Sequence, residues 1–298
     1  MKNNIKMIDV HVHIMTQRRM DGLSVWLSRV FPNHPLAVRR MTKEMIMEEF
    51  HENEVKYIFN QVFPMKPQET EDLNLFNHKF SKEYKGVIPF GSLHIENEEK
   101  KKIIDRCLKD YGFFGIKFHP YVQGFSPGDE RLYPAYERIE ELKKPVCIHT
   151  GFNDFYSPKK PITLSEIETL VRKFPSLIFI LPHFFYPNFD QALYLLESYK
   201  TVYLDATNIF SSIVQDENRG LNMDKEREML TKILKKRDRR IFFGTDHPAG
   251  MSDLDTIFSD FYSFNLEEGI TFDLLFNNAY DFVVKVDKDW LEPEIKGV

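Results

Sequence analysis

The segment Ile8-Asp9-Val10-His11-Val12-His13, close to the N-terminus, alternates apolar with polar residues. This alternation predicts a strand that sends successive side chains to opposite faces, so that Asp9, His11 and His13 would share one face. Two imidazoles placed side by side at the end of a strand form half of a zinc site. A His-x-His pair also occurs by chance in proteins that bind no metal, so the other strand ends must decide between the two interpretations.

The length and the composition are those of a globular protein with a large core. The chain has 298 residues, of which 42% are hydrophobic and 29% are charged. Because α/β barrels commonly run to about 250 residues as one domain, we expect a single domain over residues 1–298. The net charge of -5, without a strongly basic block, predicts no nucleic-acid partner. We expect the partner to be a small-molecule substrate.

The cysteine content and the hydropathy pattern indicate a cytoplasmic protein. Only Cys107 and Cys147 are present, which fits a reducing compartment and excludes a disulfide framework. No apolar run reaches the length of a membrane span, and the first strand begins too close to Met1 for a cleaved signal peptide. We therefore expect no membrane partner. The oligomeric state stays open, with a homodimer as one alternative.

Short apolar or β-branched runs alternate with segments whose apolar residues recur at helical spacing. The runs that we interpret as strands are Met7–Val12, Val55–Gln61, Val87–Leu93, Phe114–Phe118, Pro145–His149, Leu177–His183, Thr201–Ala206 and Arg240–Asp246. Strands that alternate with helices predict a parallel sheet, and eight such units predict its closure into a (β/α)8 TIM barrel. Extra C-terminal helices are expected near Ser252–Leu266 and Thr271–Val284.

Histidines concentrate at the predicted strand ends. Seven of the ten lie at or just beyond the carboxyl end of a strand: His11, His13, His94, His119, His149, His183 and His247. In a (β/α)8 barrel this rim carries the chemistry, whereas the opposite rim serves stability. Any one of these residues could be a satisfied structural histidine, but the set predicts an active site. The longest connection, Ile14–Met41, follows the first strand and should lie above the barrel mouth.

Asp246 supplies a carboxylate at the end of the last strand, in the segment Gly244–Pro248. Its alternative role is to cap the following helix, although Ser252 or Asp253 is better placed for that. Because His149 and His183 end the fifth and sixth strands, three histidines and one aspartate can converge on one cation. A divalent cation held with one open position lowers the pKa of a bound water to about 7, which makes hydroxide available at neutral pH.

A set of motifs in this order resembles the amidohydrolase superfamily, and most closely its amidohydrolase-related (amidohydrolase 2) branch of metal-dependent hydrolases and decarboxylases. The motifs are Asp9–His13, Gly115–Pro120, Pro145–Gly151, the strand that ends at His183, Gly244–Pro248 and Asn278-Ala279. The resemblance implies that one divalent cation, zinc or alternatively manganese, is bound by His11, His13, His149 and Asp246. It also implies that Asp246 and His183 are catalytic. His183 would polarise substrate or water, or would ligate a second metal as in binuclear members.

Three further residues are candidates for binding the substrate. Lys117 and His119 share a face of the fourth strand. Lys117 could bind an anionic group or form an interior ion pair, whereas some superfamily members carboxylate the lysine on this strand to bridge two metals. Arg219 could bind a substrate carboxylate through two nitrogens, or it could be solvated.

We make three further predictions about residues that surround the site. Asp9 and Asp205 could orient the imidazoles as hydrogen-bond acceptors, and Cys147 is expected to be a small core residue. Phe184-Phe185-Tyr186 stands where many relatives have small residues, and it predicts an aromatic wall that favours a substrate with an apolar or planar part.

These features predict a hydrolase that activates water on a divalent cation to cleave an ester, lactone or amide-type bond of a small, carboxylated substrate. The alternative is a nonoxidative, metal-dependent decarboxylase of an aromatic or unsaturated acid on the same fold. A third interpretation is a barrel that binds metal without turnover. The intact ligands and the intact Asp246 argue against it.

Overall fold

The computed structural model describes residues 6–32, 34, 37, 40–152, 156 and 159–291. Eight parallel strands form one sheet in which each strand pairs with the next strand along the chain. They are β1 Met7–Val12, β2 Val55–Gln61, β3 Val87–Gly91, β4 Gly115–Phe118, β5 Pro145–Ile148, β6 Ile178–Pro182, β7 Val202–Asp205 and β8 Ile241–Phe242. The predicted (β/α)8 barrel with extra C-terminal helices is therefore confirmed.

Hydrogen bonds between the first strand and the segment that follows the last strand bring the two edges of the sheet together. The Val10 amide donates to the Phe243 carbonyl (3.2 Å), the His13 amide to the His247 carbonyl (2.9 Å) and the Asp246 amide to the His11 carbonyl (2.8 Å). These bonds hold the ends of β1 and β8 next to each other. They therefore place His11, His13 and Asp246 at one point of the rim.

Helices cover the outside of the sheet. They are α1 Gln17–Val30, α2 Lys43–Glu52, α3 Thr70–Glu83, α4 Lys100–Asp105, α5 Pro120–Gln123, α6 Tyr133–Glu141, α7 Leu164–Lys173, α8 Phe189–Ser198, α9 Ile209–Asn218, α10 Asp224–Lys235, α11 Leu254–Tyr262, α12 Glu268–Phe272 and α13 Asn278–Asp287. Single π-helical turns follow α4 and α12, and short 3-10 turns lie at Pro67–Glu69, Glu130–Leu132, His183–Phe185 and Lys288–Trp290. No helix in the described part of the chain combines the length and the apolar surface that crossing a bilayer requires.

A separate apolar cluster fills the inside of the barrel. It consists of Ile8, Val10, Tyr57, Phe59, Ile88, Phe90, Phe114, Cys147, Ile180, Tyr203 and Phe242, with Ala279, Phe282, Val283 and Leu291 from the C-terminal segment. Cys147 is fully buried among these side chains, as predicted for a core residue. Because α13 contributes to this cluster, the C-terminal helices help to close the barrel from below.

The strict alternation predicted for the first strand is wrong in one detail. Its pairing with β2 shifts register between Asp9 and Val12. Ile8 and Val10 therefore join the interior cluster while Val12 packs in the outer core. The irregularity lets His11 face the site above Val10, and it leaves Asp9 on a different side from the imidazoles.

Several predicted strands run past the observed ends, β8 by four residues, β3 by two and β6 by one. His183 (φ 66°), Phe184 (φ 47°) and Phe185 (φ 55°) have left-handed backbone conformations, so β6 stops at Pro182. Asp246 (φ 64°) turns the chain in the same way after β8. Left-handed residues cannot continue a strand, and here they direct functional side chains into the barrel mouth.

The C-terminal helices also differ from their predicted limits. Helix α11 begins after Asp253, whose carboxylate accepts a hydrogen bond from the Thr256 amide, so Asp253 and not Asp246 caps it. The single helix predicted near Thr271–Val284 is divided into α12, a π-helical turn and α13.

Candidate metal centre and active site

Three side chains at the junction of β1 and β8 bring their donor atoms together. The Nε2 atoms of His11 and His13 lie 3.2 Å apart. Oδ1 of Asp246 lies 3.0 Å from Nε2 of His13 and 3.5 Å from Nε2 of His11. These residues form a group whose ligand atoms all lie within 4.8 Å of one another.

Hydrogen bonds on the far side of each ring fix which nitrogen carries hydrogen. His11 Nδ1 lies 2.6 Å from Oδ2 of Asp205, and His13 Nδ1 lies 2.6 Å from the Gln61 carbonyl oxygen. Both partners can only accept a hydrogen, so each ring donates from Nδ1 and presents a bare Nε2. Two bare nitrogens and a carboxylate oxygen therefore face one another.

The histidines of the fifth and sixth strands form a second pair with the same arrangement. His149 Nε2 donates to the Gly151 carbonyl (2.9 Å), and His183 Nδ1 donates to the Thr207 carbonyl (2.9 Å). The remaining nitrogens, Nδ1 of His149 and Nε2 of His183, lie 3.1 Å apart. Two lone pairs that face each other at this distance repel unless a cation or a proton lies between them.

The electrostatic surroundings keep the rings of His11, His149 and His183 neutral. Burial, with the neighbouring Lys117 charge next in importance, lowers the pKa of His11 well below its ordinary value. Burial is also the main cause that lowers the pKa values of His149 and His183. Burial alone would raise the pKa of Asp246, but its contacts with the His13 and His11 rings lower it well below its ordinary range. Neutral imidazoles and an ionised carboxylate are the forms that ligate metals.

The two aspartates that were expected to orient imidazoles have different roles. Asp205 accepts from His11, as predicted, and is itself held by the Thr207 amide at 2.9 Å. Within the described part of the chain, Asp9 has no hydrogen bond to an imidazole. It accepts from the backbone amides of His11 and Thr245, both at 3.0 Å, and from the Thr245 hydroxyl. Asp9 thus ties β1 to the segment after β8, because the register shift turns it away from the rings.

Lys117 and His119 occupy different levels of the site. Lys117 is fully buried, and its Nζ lies 3.1 Å from Nε2 of His11 and 3.6 Å from the sulfur of Cys147. His119 lies higher and lines the cavity. Its ring stacks on His149 at 4.0 Å, and its Nε2 lies 3.4 Å from the Tyr156 hydroxyl.

A cavity of about 700 Å³ opens above these residues. His13, His119, His149, His183 and Asp246 form its floor, and α1 of the Ile14–Met41 connection contributes Arg18, Arg19, Gly22, Leu23 and Trp26 to its wall. Further aromatic rings in the wall are Phe63, Tyr121, Phe152, Tyr156 and Tyr186. The wall is therefore largely apolar and planar, with cationic groups near the mouth.

Some predicted residues lie elsewhere. Of the three aromatics after β6, only Tyr186 lines the cavity, because the left-handed turn buries Phe184 and Phe185 in the outer core. His247 turns outward to Glu49 (3.1 Å), and Nδ1 of His94 accepts from the Glu96 amide. These two rim histidines are outside the site.

Arg219 lies at the cavity mouth with its side chain 62% exposed and paired with Asp216 at 3.2 Å. Two cavity residues that the sequence did not single out are Tyr156, which contacts His119, and Asn208, whose Nδ2 donates to Oδ2 of Asp246 at 2.7 Å. Asn208 lies three residues beyond Asp205, and this proximity to a strand end was the available signal.

The donor set fits a divalent cation. Histidines that ligate metals usually donate their other ring N–H to a carboxylate or a backbone carbonyl, which fixes the tautomer. The histidines of this site have such partners. The Nε2 atoms of His11 and His13 with Asp246 provide three such ligands, and His149 offers its bare Nδ1 nearby. Without a cation, the close approach of these lone pairs would be unfavourable.

Comparison with known proteins places this geometry in a family. The amidohydrolase profile matches residues 8–269. Protein fluG of Emericella nidulans is 24% identical over 151 residues, which cover 48% of this chain but 18% of fluG. The chain thus corresponds to less than a fifth of the curated relative it matches.

Two solved structures share the fold over nearly the whole chain. A candidate 2-pyrone-4,6-dicarboxylic acid hydrolase of Pseudomonas putida has a TM-score of 0.62 at 14% identity, covering 93% of this chain and 97% of that one. A 5-carboxyvanillate decarboxylase of Novosphingobium aromaticivorans, with bound manganese and 3-methoxy-4-hydroxy-5-nitrobenzoic acid, has a TM-score of 0.62 at 12% identity, covering 93% and 96%. At these identities the likeness concerns the fold.

The neighbours include both a hydrolase and a decarboxylase, so the fold alone does not select one reaction. The profile, in contrast, matches most of the length of the chain, from β1 to α12. This protein therefore belongs to the amidohydrolase family of enzymes, in its amidohydrolase-2 branch.

Proposed function

We propose that this enzyme is a hydrolase that uses one divalent cation, preferably zinc, to cleave an ester, lactone or amide-type bond of a small carboxylated substrate. The observation that carries the proposal is the position of Asp246. Its Oδ1 belongs to the ligand cluster with His11 and His13, while its side chain, 13% exposed, reaches the floor of the cavity. A carboxylate so placed can hold the cation and also meet a water molecule that enters from the cavity.

The cation would be held by His11, His13, His149 and Asp246. When bound, it would supply Lewis-acid activation of water and of the scissile carbonyl. The protein must supply the rest: a proton acceptor, a group that polarises the attacking water, and a pocket that orients the substrate.

Asp246 accepts the proton of the attacking water and passes it to the leaving group. Its low pKa keeps it ionised at neutral pH and ready to accept. His183 donates its Nδ1 hydrogen to the Thr207 carbonyl, so in its neutral form Nε2 is a hydrogen-bond acceptor. It can therefore polarise the attacking water by accepting a hydrogen bond from it.

The cavity wall orients the substrate. Phe63 and Tyr156 flank His119 and offer faces for a planar group. Arg219 at the mouth is placed to pair with a substrate carboxylate if its guanidinium leaves Asp216. His119 can hydrogen-bond a polar substituent, and the buried Lys117 adds positive charge beneath the site.

A substrate panel tests the reaction type. The zinc-loaded enzyme is incubated with lactones, esters and amides that carry a carboxylate, and with hydroxybenzoates and unsaturated dicarboxylates. Release of acid and release of carbon dioxide are measured in parallel. We expect acid release from the first group. Carbon dioxide from an acid, with no turnover of any ester, lactone or amide, would overturn the hydrolase assignment.

The second candidate is a nonoxidative decarboxylase of an aromatic or unsaturated acid. The feature that favours it is the planar aromatic wall, because Phe63, Tyr121 and Tyr156 surround His119 and His149. In that reaction a proton must be delivered to carbon. The imidazoles of His119 and His183 are the groups in the cavity floor that could carry it.

A further inference from the structure

We propose that Asn208 is a positioning residue that holds the Asp246 carboxylate in the orientation needed for cation binding and proton transfer. The proposal rests on the cation-site role given to Asp246 above. It adds a residue from the β7–α9 connection to a site otherwise built from strand ends.

The contact is short and direct. Nδ2 of Asn208 donates to Oδ2 of Asp246 at 2.7 Å, while Oδ1 of the same carboxylate lies 3.0 Å from Nε2 of His13. One oxygen is therefore held by an amide, and the other faces the ligand cluster. A carboxylate fixed at only one oxygen could rotate about its Cβ–Cγ bond, so the amide determines which oxygen meets the cation.

The backbone conformation of Asn208 directs its side chain towards Asp246 and away from the helix that follows. The residue immediately precedes α9, where asparagine commonly caps the helix, yet its side chain makes no capping hydrogen bond. Its backbone is left-handed, with φ 62°. Asparagine tolerates this conformation better than most residues, and here it aims the amide across to the segment after β8.

The segment after β8, which carries Asp246, lies close to the amide of Asn208. Asp246 is also left-handed, and its own amide is bound to the His11 carbonyl at 2.8 Å, so its backbone is fixed independently. At Gly250 a Cβ atom would lie 2.5 Å from the Thr245 carbonyl oxygen and 3.4 Å from Oδ1 of Asn208. Glycine therefore allows the chain after Asp246 to turn back against Thr245, beside the Asn208 side chain.

Two consequences follow for the chemistry. The amide neutralises part of the negative charge on Oδ2, which favours cation binding through Oδ1. The amide also keeps Oδ2 of Asp246 at a fixed place on the cavity floor, where the carboxylate accepts the proton of the attacking water. Loss of the amide should thus weaken the cation site and slow turnover, with little effect on substrate affinity.

The test compares Asn208→Gly with Ser212→Ala. Glycine keeps the left-handed backbone and removes only the amide. Ser212 lies one turn further along α9, lines the same cavity and contacts the sulfur of Met251 instead of Asp246. Each protein is stripped of metal and titrated with Co²⁺ in competition with a chelator, its visible absorption spectrum is recorded, and its thermal unfolding is followed.

For Asn208→Gly we expect Co²⁺ affinity to fall by about 10-fold to 100-fold, as is usual when a group that orients a ligand is removed. The cobalt absorption bands should change shape, and thermal unfolding should stay near that of the wild type. Ser212→Ala should match the wild type in all three readouts. In turnover of a substrate found by the panel above, Asn208→Gly should lower kcat and leave KM nearly unchanged.

Wild-type affinity and a wild-type cobalt spectrum in Asn208→Gly would overturn the proposal, as would a wild type that binds no Co²⁺. A protein that binds Co²⁺ but hydrolyses nothing would refute the proposed function alone. The spectra and affinities would then still decide the role of Asn208.

Discussion

Nδ1 of His149 lies 3.1 Å from Nε2 of His183, and hydrogen bonds to the Gly151 and Thr207 carbonyls leave neither atom with a hydrogen to share. The same conflict of lone pairs recurs between His11 and His13. In both pairs, acceptors outside the rings force the lone pairs inward. The imidazoles therefore face a site for positive charge, of which the Lys117 side chain, 3.1 Å from Nε2 of His11, supplies only a part.

The first prediction concerns metal content. The purified protein should carry about one divalent cation per chain, because the ligand atoms of His11, His13 and Asp246 lie within 4.8 Å of one another and His149 is the proposed fourth ligand of a catalytic-type site. His149→Ala should lower the occupancy markedly, whereas His78→Ala, in a ring stacked on Tyr111 on the outside of the barrel, should not. Elemental analysis measures both. A chain that stays metal-free after incubation with zinc or manganese would refute the site.

The second prediction concerns the proton acceptor. Asp246→Asn keeps the size of the side chain and its reach into the cavity but removes its basicity. Turnover should fall by about a hundredfold or more, as expected when a positioned general base is lost. Steady-state rates must be compared at equal metal occupancy, measured in the same samples. Full activity in a metal-loaded Asn variant would assign the base to another residue.

The third prediction is that Lys117 is an unmodified amine. Its Nζ already lies within hydrogen-bonding distance of His11 Nε2, and only a second metal would compensate for the loss of its positive charge on carboxylation. Activity should therefore not depend on added bicarbonate. A crystal structure with two metals bridged at Lys117 would contradict this and would make His183 a ligand.

The fourth prediction concerns stability in acid. Burial acts to raise the pKa of Asp273, but hydrogen bonds from Asn277 and Arg237 and the charge of Arg239 outweigh it and lower this pKa below its ordinary value of 3.8. The folded state then binds fewer protons than the unfolded state as the pH falls through this range. The stabilisation is therefore complete above the unfolded pKa and is lost as the pH falls towards the folded one.

Asp273→Asn should accordingly be less stable than the wild type at neutral pH, and the difference should shrink as the pH falls from about 5 to about 2. Urea unfolding at a series of pH values measures the free energy of unfolding of both proteins. A difference that stays constant over this range would show that the two arginines do not act through the charge of Asp273.

The sequence by itself determined the barrel and the identity of most residues on its floor. Strands β1 and β2 begin and end where their apolar patterns predict, because local alternation and turn residues are properties of short segments. His11, His13, His149, His183 and Asp246 were visible as polar residues at the ends of such segments. Parallel strands necessarily bring those ends to one rim.

Tertiary structure decided how these residues meet. Asp205 accepts a hydrogen bond from the His11 ring, whereas Asp9, which looked equivalent in the sequence, ties β1 to the segment after β8 because β1 shifts register beside it. The amide of Asn208 reaches Asp246 across 38 residues of chain. The tautomers of the imidazoles depend on carbonyls of β2 and of the loops after β5 and β7. Such contacts join segments distant in sequence, and their distances and directions follow from closing the barrel, which no local pattern encodes.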